Sequence, residues 1–385
     1  MKSGRAVKRW LLFLLLPLAL ILPASAEEQT TQEMYAEQLE ASGADEVWDK
    51  LPEETRQLLE RLGIDELDAG QFSSLQPKGI LENLLGLLSD QAGTPMRACG
   101  MILGIILLCA LMDGVKQTVA QPSVSEVFGV ICALAACAAV MIPVSGCIQR
   151  VCAATQSTSV FMTSFVPVYS GILLTSGQAV TAASYNTVVL FVAELITLLS
   201  TYFVVPLMTI SLALGLTGSV TPDMRLNAVG AMLNKAAVWL LGLLTSLFVG
   251  MLSLQGIVGA AADSLTGRAI KFSLSSFVPV VGGALSEAFS SVQGCLSLLK
   301  STLGGFGILA TALIVLPPLL ECAVWSLCLS LCGMAAEMFS LTQLGGILKS
   351  AQSVAKTLIG VLASCALFMI IATTIVTMAG RSASL

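Results

Sequence analysis

The feature that most constrains this chain is a series of long segments that carry almost no charge. No charged residue occurs between Val151 and Ala193, and further apolar stretches follow it. A helix of about 20 apolar residues can cross a bilayer, because its backbone groups bond to one another inside the segment. Of the 385 residues, 56% are apolar and only 11% are charged, whereas soluble domains carry roughly 25% charged residues. The sequence therefore predicts an all-α, polytopic helical membrane protein.

About seven to eight membrane segments are predicted from the positions of the charges between apolar runs. The run at 160–174 is short and favours a short span or a re-entrant helix, and the run at 277–299 is ambiguous because it carries Glu287 and many small polar residues. The segments are 96–112, 127–148, 160–174, 188–216, 229–254, 277–299, 304–333 and 358–379. Basic residues between segments favour the cytoplasmic side, so Arg268, Lys271 and Lys300 favour a cytoplasmic region at 255–302.

The first 26 residues have the organisation of a signal peptide. Four basic residues precede an apolar run, and Ala24-Ser25-Ala26 has the small-x-small form of a cleavage site. Cleavage is expected after Ala26, and an uncleaved anchor is the alternative. Both interpretations place the chain from residue 27 onward on the outer face of the cell membrane.

Residues 27–95 form an acidic exported segment with 16 acidic and 4 basic residues, a net charge of −12. Within it, "LPEETRQLLERLG" predicts a short helix, because Pro52 suits a helix start and Gly63 a helix stop. A second amphipathic helix is predicted at 80–88, either at the membrane surface or inside a small exported domain.

An internal repeat is indicated by the pentapeptide SFVPV, which occurs at 164–168 and again at 276–280. At the same offset Gly171 matches Gly283 and Pro206 matches Pro318. The predicted organisation is two spans at 96–150, one repeat unit at 151–257 and a second at 258–385. The alternative is coincidence in a biased composition. If each unit has three crossings, the pair is an inverted repeat. If the SFVPV helices only dip into the membrane, each unit has two crossings and the units run parallel. Short, buried or re-entrant SFVPV helices packed at the interface between the units are preferred.

Prolines inside apolar runs predict breaks or kinks, because proline removes a backbone donor and frees a carbonyl. Such breaks are tolerated only where protein or water covers the freed carbonyl. Four of these prolines occupy matched places in the two units and predict an irregular zone at the interface between them: Pro167, Pro206, Pro279 and Pro318.

Two acidic residues fall inside apolar segments, and such residues face a bundle interior, a pore or a partner. Glu194 and Glu321 are therefore candidate interface or pore residues. Gly100 and Gly104 form a GxxxG pattern that allows close approach of another helix. For Glu194 the alternative is a position near the membrane surface, because the sequence does not define the edge of its span. For the GxxxG pattern the alternative is an ordinary membrane segment, because glycine is common in spans.

No enzyme signature is present. The chain has no histidine, which excludes imidazole metal sites and Ser-His or Cys-His pairs, and it has no phosphate-binding or dinucleotide motif. The 11 cysteines all lie in or beside the apolar part and lack CxxC spacing, which favours packing over redox or metal roles. No cofactor and no nucleic-acid partner is expected.

The order of signal peptide, acidic exported segment and charge-poor body, with the block "FVPVYSGILLTSGQAVTAASY", resembles the stage III sporulation protein AE family of endospore-forming Firmicutes. The resemblance covers nearly the whole chain and carries no catalytic motif. It implies residence in the mother-cell membrane around the forespore. It further implies a subunit of a secretion-like channel complex, the feeding tube, that supports late forespore gene expression.

The partners implied by the resemblance are other stage III sporulation membrane proteins, a channel partner in the forespore membrane and a YidC-type insertase. The lipid bilayer surrounds the body, and a homo-oligomer is allowed. The alternative function is a secondary transporter, because internal repeats and broken helices are typical of that class.

Overall fold

The computed structural model describes residues 39, 43–64, 77–116, 122–220, 226–277 and 282–379. These residues are helical with short turns between helices, and no strand occurs among them. The helices are α1 Ala44–Asp49, α2 Glu53–Arg61, α3 Pro77–Lys116, α4 Pro122–Thr175, α5 Ala179–Leu199, α6 Val205–Val220, α7 Leu226–Phe277, α8 Gly282–Met338 and α9 Thr342–Ala379. A π-helical turn, Ser200–Val204, joins α5 to α6 without a break.

Helix α2 confirms the prediction for the LPEETRQLLERLG stretch. Pro52 precedes its first residue, and Gly63 follows its end with a left-handed φ of 78°. That conformation favours glycine and lets the chain turn. Leu58 and Leu59 are buried on one face, and the acidic residues Glu53 and Glu54 lie in the first turn.

Six helical segments are long and apolar enough to cross a membrane, close to the seven to eight that the sequence predicts. The difference arises because neighbouring predicted segments merge. The runs at 127–148 and 160–174 both lie in α4, a continuous helix of 54 residues with Pro143 and Pro167 inside it. The first SFVPV stretch is therefore not a separate helix.

These helices exceed the thickness of one bilayer. At 1.5 Å per residue, a helix like α4 extends over ~80 Å, whereas the hydrocarbon layer is ~30 Å thick. Only part of each long helix therefore lies in the hydrocarbon at one time. The central pair is α8 and α9, which are the most deeply buried of the six spans, while α3 and α7 expose most of their surface.

Long helices that follow one another in the chain run in opposite directions, with α5 and α6 counted as one helix. Helix α4 is antiparallel to α8, because Arg150 binds Glu321 whereas Phe161 contacts Phe306. Helices α8 and α9 form a hairpin closed by the turn at 339–341, where Lys349 pairs with Glu337 across the two helices.

The α5–α6–α7 hairpin and the α8–α9 hairpin point in the same direction. Helices α4 and α5 are antiparallel, since Tyr169 contacts Tyr185 across the short turn that joins them. Because α4 is also antiparallel to α8, α5 is parallel to α8. If the two hairpins are repeat copies, they are parallel copies, as preferred above; the repeat itself stays a prediction. The copies differ at one point, because the first breaks at Gly177 while α8 is continuous through the matching residues.

Two apolar cores share these helices. The first, which we call the aromatic core, holds Phe161, Phe165, Tyr169, Tyr185 and Phe306 and includes buried residues of α1 and α2. The second core joins α3, the N-terminal half of α4, α6 and the α8–α9 hairpin.

The packing of α1 bears on the topology of the membrane body. Trp48 stacks on Phe306 of α8, with ring centroids 5.9 Å apart, so the N-terminal helices lie against the half of the body that contains the α4–α5 turn. With alternating helices, the connection between α7 and α8 lies on this same side. In this fold, residues 27–95 and the region 255–302 therefore lie on the same side of the membrane. The predictions of an outer 27–95 segment and a cytoplasmic 255–302 region cannot both be right.

Three predictions fall on residues outside the described ranges. They are the signal peptide at 1–26, Pro279, and most of the second SFVPV stretch. The predicted helix at 80–88 is described, and it is continuous with the first span as the N-terminal part of α3.

Candidate functional site

A bidentate ion pair joins the two central crossing helices. Arg150 of α4 donates through Nε and Nη2 to the two carboxylate oxygens of Glu321 on α8. Glu321 is buried, with 7% of its side chain exposed, whereas half of the Arg150 side chain is exposed. A planar guanidinium matches a carboxylate in this geometry and neutralises its charge. Of the two buried acids predicted, Glu321 is thus satisfied inside the protein.

Sequence reasoning missed Arg150 as the partner of Glu321. A signal was available, because Arg150 is the first charge after the apolar run at 127–148, and Glu321 is the only charge in the run at 304–333. Two lone opposite charges in separate apolar helices indicate a pair. Because 170 residues separate them in the chain, the sequence does not show that α4 and α8 bring these two charges to the same depth.

Thiols surround the ion pair. Arg150 Nη2 lies 3.8 Å from Cys147 Sγ, and the Cys147 thiol is hydrogen-bonded to Cys322. Further along α8, Cys332 Sγ lies 3.4 Å from Cys99 Sγ on α3. All 11 cysteines are free thiols. No group of three metal-ligating side chains occurs in the part of the chain that the structure describes.

The sequence block 161–185 forms the centre of the aromatic core. Phe161, Phe165 and Tyr169 follow one another at four-residue spacing and are fully buried, with stacked rings 5.5 and 5.4 Å apart. The Tyr169 hydroxyl lies 2.8 Å from Thr377 Oγ1 on α9. The most specific part of the sequence resemblance is therefore a packing element that joins α4 to α8 and α9.

Glycines let α8 approach these rings. A Cβ at Gly307 would overlap the Phe165 ring, and a Cβ at Gly304 would lie 3.1 Å from the Tyr169 hydroxyl oxygen. These two positions need glycine because of close helix contact and not because of an unusual backbone conformation.

A second polar cluster surrounds the α4–α5 turn, and sequence reasoning missed it. Asp263 of α7 accepts hydrogen bonds from the backbone N–H groups of Val180 and Thr181, each 3.0 Å long. It therefore caps the start of α5 from another helix. Lys300 of α8 is buried and donates to Gln178 Oε1 over 2.9 Å. From the sequence, Asp263 and Lys300 lie between predicted membrane segments.

The structure does not bring the other predicted site residues into one cluster. Glu194 lies on the exposed face of α5, away from Glu321. Pro167 and Pro206 are exposed, and Pro318 is half-buried beside Pro317 in α8. Pro206 is the second residue after the π-helical turn, and that turn shows that the α5–α6 helix is irregular near this point.

The GxxxG pattern is not used within the monomer. Gly100 and Gly104 are exposed on α3, and a Cβ at either position would meet no atom within 4 Å. Their surface is open to lipid or to another protein.

The comparisons with known proteins address the identity of the chain. The family model for stage III sporulation protein AE matches residues 62–380, from the end of α2 to the end of α9. The chain belongs to the stage III sporulation protein AE family. A relative, stage III sporulation protein AE of Bacillus subtilis (strain 168), is 26% identical over 235 residues, which is 61% of this chain and 59% of the relative. No solved structure matches the chain.

Membership in the stage III sporulation protein AE family confirms the resemblance seen in the sequence. The matched range contains the ion pair, the aromatic core and the cluster at the α4–α5 turn. Helices α1 and α2 precede it. The match therefore covers the helical membrane body.

Proposed function

We propose that the chain is a membrane subunit of the sporulation channel complex that links the mother cell to the forespore. The family match carries this proposal. The complex is secretion-like, supports late forespore gene expression, and includes other stage III sporulation membrane proteins and a channel partner in the forespore membrane. A YidC-type insertase places the chain in the mother-cell membrane.

The geometry supports an assembly role over an enzymatic one. Two charged groups of the body hold helices together: Glu321 binds Arg150, and Asp263 binds the start of α5. Helix α3 exposes a long apolar face outside the central pair, with Gly100 and Gly104 on it. Such a face suits contact with other membrane subunits.

A secondary transporter is the alternative function, and the π-helical turn at 200–204 favours it, because such turns often occur at functional sites. Coupled carriers place ionisable groups where an ion can reach them. In this chain Glu321 is neutralised by Arg150, and Glu194 lies on the opposite, outer surface. The arrangement therefore supports the channel subunit more strongly.

Affinity purification of the full chain from sporulating cells tests the proposal. Recovery of other envelope proteins at reproducible ratios, and loss of spores when the gene is deleted, is the expected result. A chain that purifies without partners, or whose deletion leaves spore yield unchanged, would overturn it. Full spore yield in the double variant Glu194→Gln with Glu321→Gln would rule out the coupled carrier, since such a carrier needs at least one of these acids.

A further inference from the structure

Glu194 is an unsatisfied charge on an apolar surface. It is exposed on α5, and no hydrogen bond or ion pair joins its carboxylate to any residue in the described ranges. One turn away on each side, Phe191 and Leu198 are 58% and 47% exposed. The carboxylate thus lies between large apolar side chains that face outward.

These residues belong to one exposed strip of the helix, which we call the α5 stripe. Its members recur at three- and four-residue spacing, and so share one face. The stripe consists of Thr187, Phe191, Glu194, Leu198 and Tyr202. It lies in the membrane-span candidate Ala179–Gly218, about 22 Å from the start of α5 at 1.5 Å per residue. Lipid tails cannot stabilise a carboxylate at such a place, so a protein partner is required.

A second copy of this chain does not supply the missing cation. On α7, Gly259 lies against Thr181 and Gly230 lies against Ser211, so Glu194 is level with about Leu247. The exposed Lys235 is then ~18 Å away in depth, at 1.5 Å per residue. Copies in one membrane share the same depth, and a shift of this size exceeds half of the ~30 Å hydrocarbon thickness.

Among the described residues, the remaining exposed bases of the membrane body are no closer. Arg268 lies 21 residues beyond Leu247 on α7, ~32 Å away in depth at 1.5 Å per residue. Arg97 of α3 is two residues from Cys99, which contacts Cys328 of α8. The Ser159–Ala193 hydrogen bond places Glu194 level with about Leu313 of α8, so Arg97 is ~20 Å away in depth.

Lys356 of α9 is also distant from Glu194 in depth. Val238 of α7 lies against Gly360 of α9, which places Lys356 near the level of Lys235. Arg150 is occupied by Glu321, and Lys349 by Glu337. No base among the described residues therefore lies beside Glu194, which favours a different protein as the source of the cation.

We propose that the α5 stripe is the docking surface for a membrane helix of another subunit, and that this helix places a lysine or arginine against Glu194. The aromatic and aliphatic members of the stripe provide the packing, and the charge pair fixes depth and register. The proposal rests on the proposed function, because it names a partner surface within the same complex.

Charge reversal tests the pairing. Glu194→Lys is expected to lower spore yield about 100-fold or more while the chain accumulates normally in the membrane, since like charges in an interface repel strongly. Glu194→Gln keeps a hydrogen-bond acceptor and is expected to have a smaller effect. Leu254→Lys is the matched control, because it places a lysine on an exposed apolar position of α7 outside the stripe.

Suppressors and crosslinks identify the partner. Suppressors of Glu194→Lys are expected to replace a lysine or arginine in a membrane segment of another protein. A photo-crosslinking residue at Leu198 should trap that same protein, and the trapped product should be lost in Glu194→Lys. Wild-type spore yield in Glu194→Lys, equal loss in Leu254→Lys, or crosslinks only to a second copy would overturn the proposal.

The two proposals fail differently. If Glu194→Lys sporulates normally while deletion of the gene abolishes spores and other envelope proteins still co-purify, only the α5 stripe is ruled out. If deletion itself leaves sporulation intact, the proposed function is ruled out as well.

Discussion

Arg150 of α4 binds both carboxylate oxygens of Glu321 on α8, across 171 positions of the chain. The same two helices meet again where the Tyr169 hydroxyl approaches Gly304. Between these points lie about 20 residues of each helix, or ~30 Å at 1.5 Å per residue, which is close to the hydrocarbon thickness of a bilayer. The ion pair therefore fixes one end of the central helix contact, and the aromatic core fixes the other.

Breaking the ion pair should destabilise the body. Glu321→Gln and Arg150→Gln are each expected to lower the free energy of unfolding by about 1–3 kcal/mol, less than for a fully buried pair because Arg150 is half exposed. The double variant should lose less than the sum of the two, since neither charge is then left alone. Thermal unfolding in detergent measures this, and strictly additive losses would contradict the pairing.

Filling the space at Gly307 should be costly, unlike filling it at Gly100 or Gly104. Gly307→Ala forces the Phe165 ring to move and is expected to cost about 1–3 kcal/mol of stability. Gly100→Ala and Gly104→Ala meet no neighbouring atom and serve as the matched controls. The readout is the midpoint of thermal unfolding of the purified monomer; a destabilised control would show that the GxxxG face is packed after all.

Cys99 and Cys332 should form a disulfide on mild oxidation. Their sulfurs lie 3.4 Å apart, so a bond of ~2.05 Å requires only a small shift of α3 against α8. In a variant that keeps only these two cysteines, copper-phenanthroline is expected to give an intramolecular crosslink that mass spectrometry can locate. The comparison variant keeps only Cys132 of α4 and Cys365 of α9, whose thiols are not bonded to each other in the structure. Equal crosslinking there would argue against the helix packing.

Removing the carboxylate of Asp263 should loosen the start of α5. Asp263→Ala leaves the N–H groups of Val180 and Thr181 without their acceptor and is expected to cost about 1–2 kcal/mol. Asp263→Asn retains one acceptor oxygen and should lose less. Amide hydrogen exchange at 179–183 provides the local readout, and unchanged exchange in the alanine variant would show that the cap is dispensable.

The direction of the helices predicts which turns share a side. Single cysteines at Gly177 and Gly267 should react with a membrane-impermeant reagent from the same side, and one at Ser340 from the opposite side, because α4 to α9 alternate. If residues 27–95 are exported, Gly177 and Gly267 react from outside. Labelling of Gly177 and Gly267 from opposite sides would contradict the antiparallel order of α5 and α7.

Much of the architecture followed from local sequence. Long uncharged segments require helices in a membrane, and Pro52 with Gly63 marked the ends of α2, because backbone hydrogen bonding and allowed φ angles are properties of a few neighbouring residues. The sequence did not show that one helix continues through Pro143 and Pro167. A proline lowers the local preference for helix, but contacts with other helices stabilised a single α4.

The partners of the charged residues were decided only by tertiary structure. Glu321 was recognisable as an acid in an apolar segment, yet the choice of Arg150 depends on the relative position of α4 and α8 along their axes. Asp263 and Lys300 looked like loop charges and became buried because α7 and α8 extend past the α4–α5 turn. The sequence determined that helices form and which residues are apolar, since those depend on local hydrogen bonding and transfer from water. Which side chains meet depended on helix direction and axial register, which are set by packing between residues far apart in the chain.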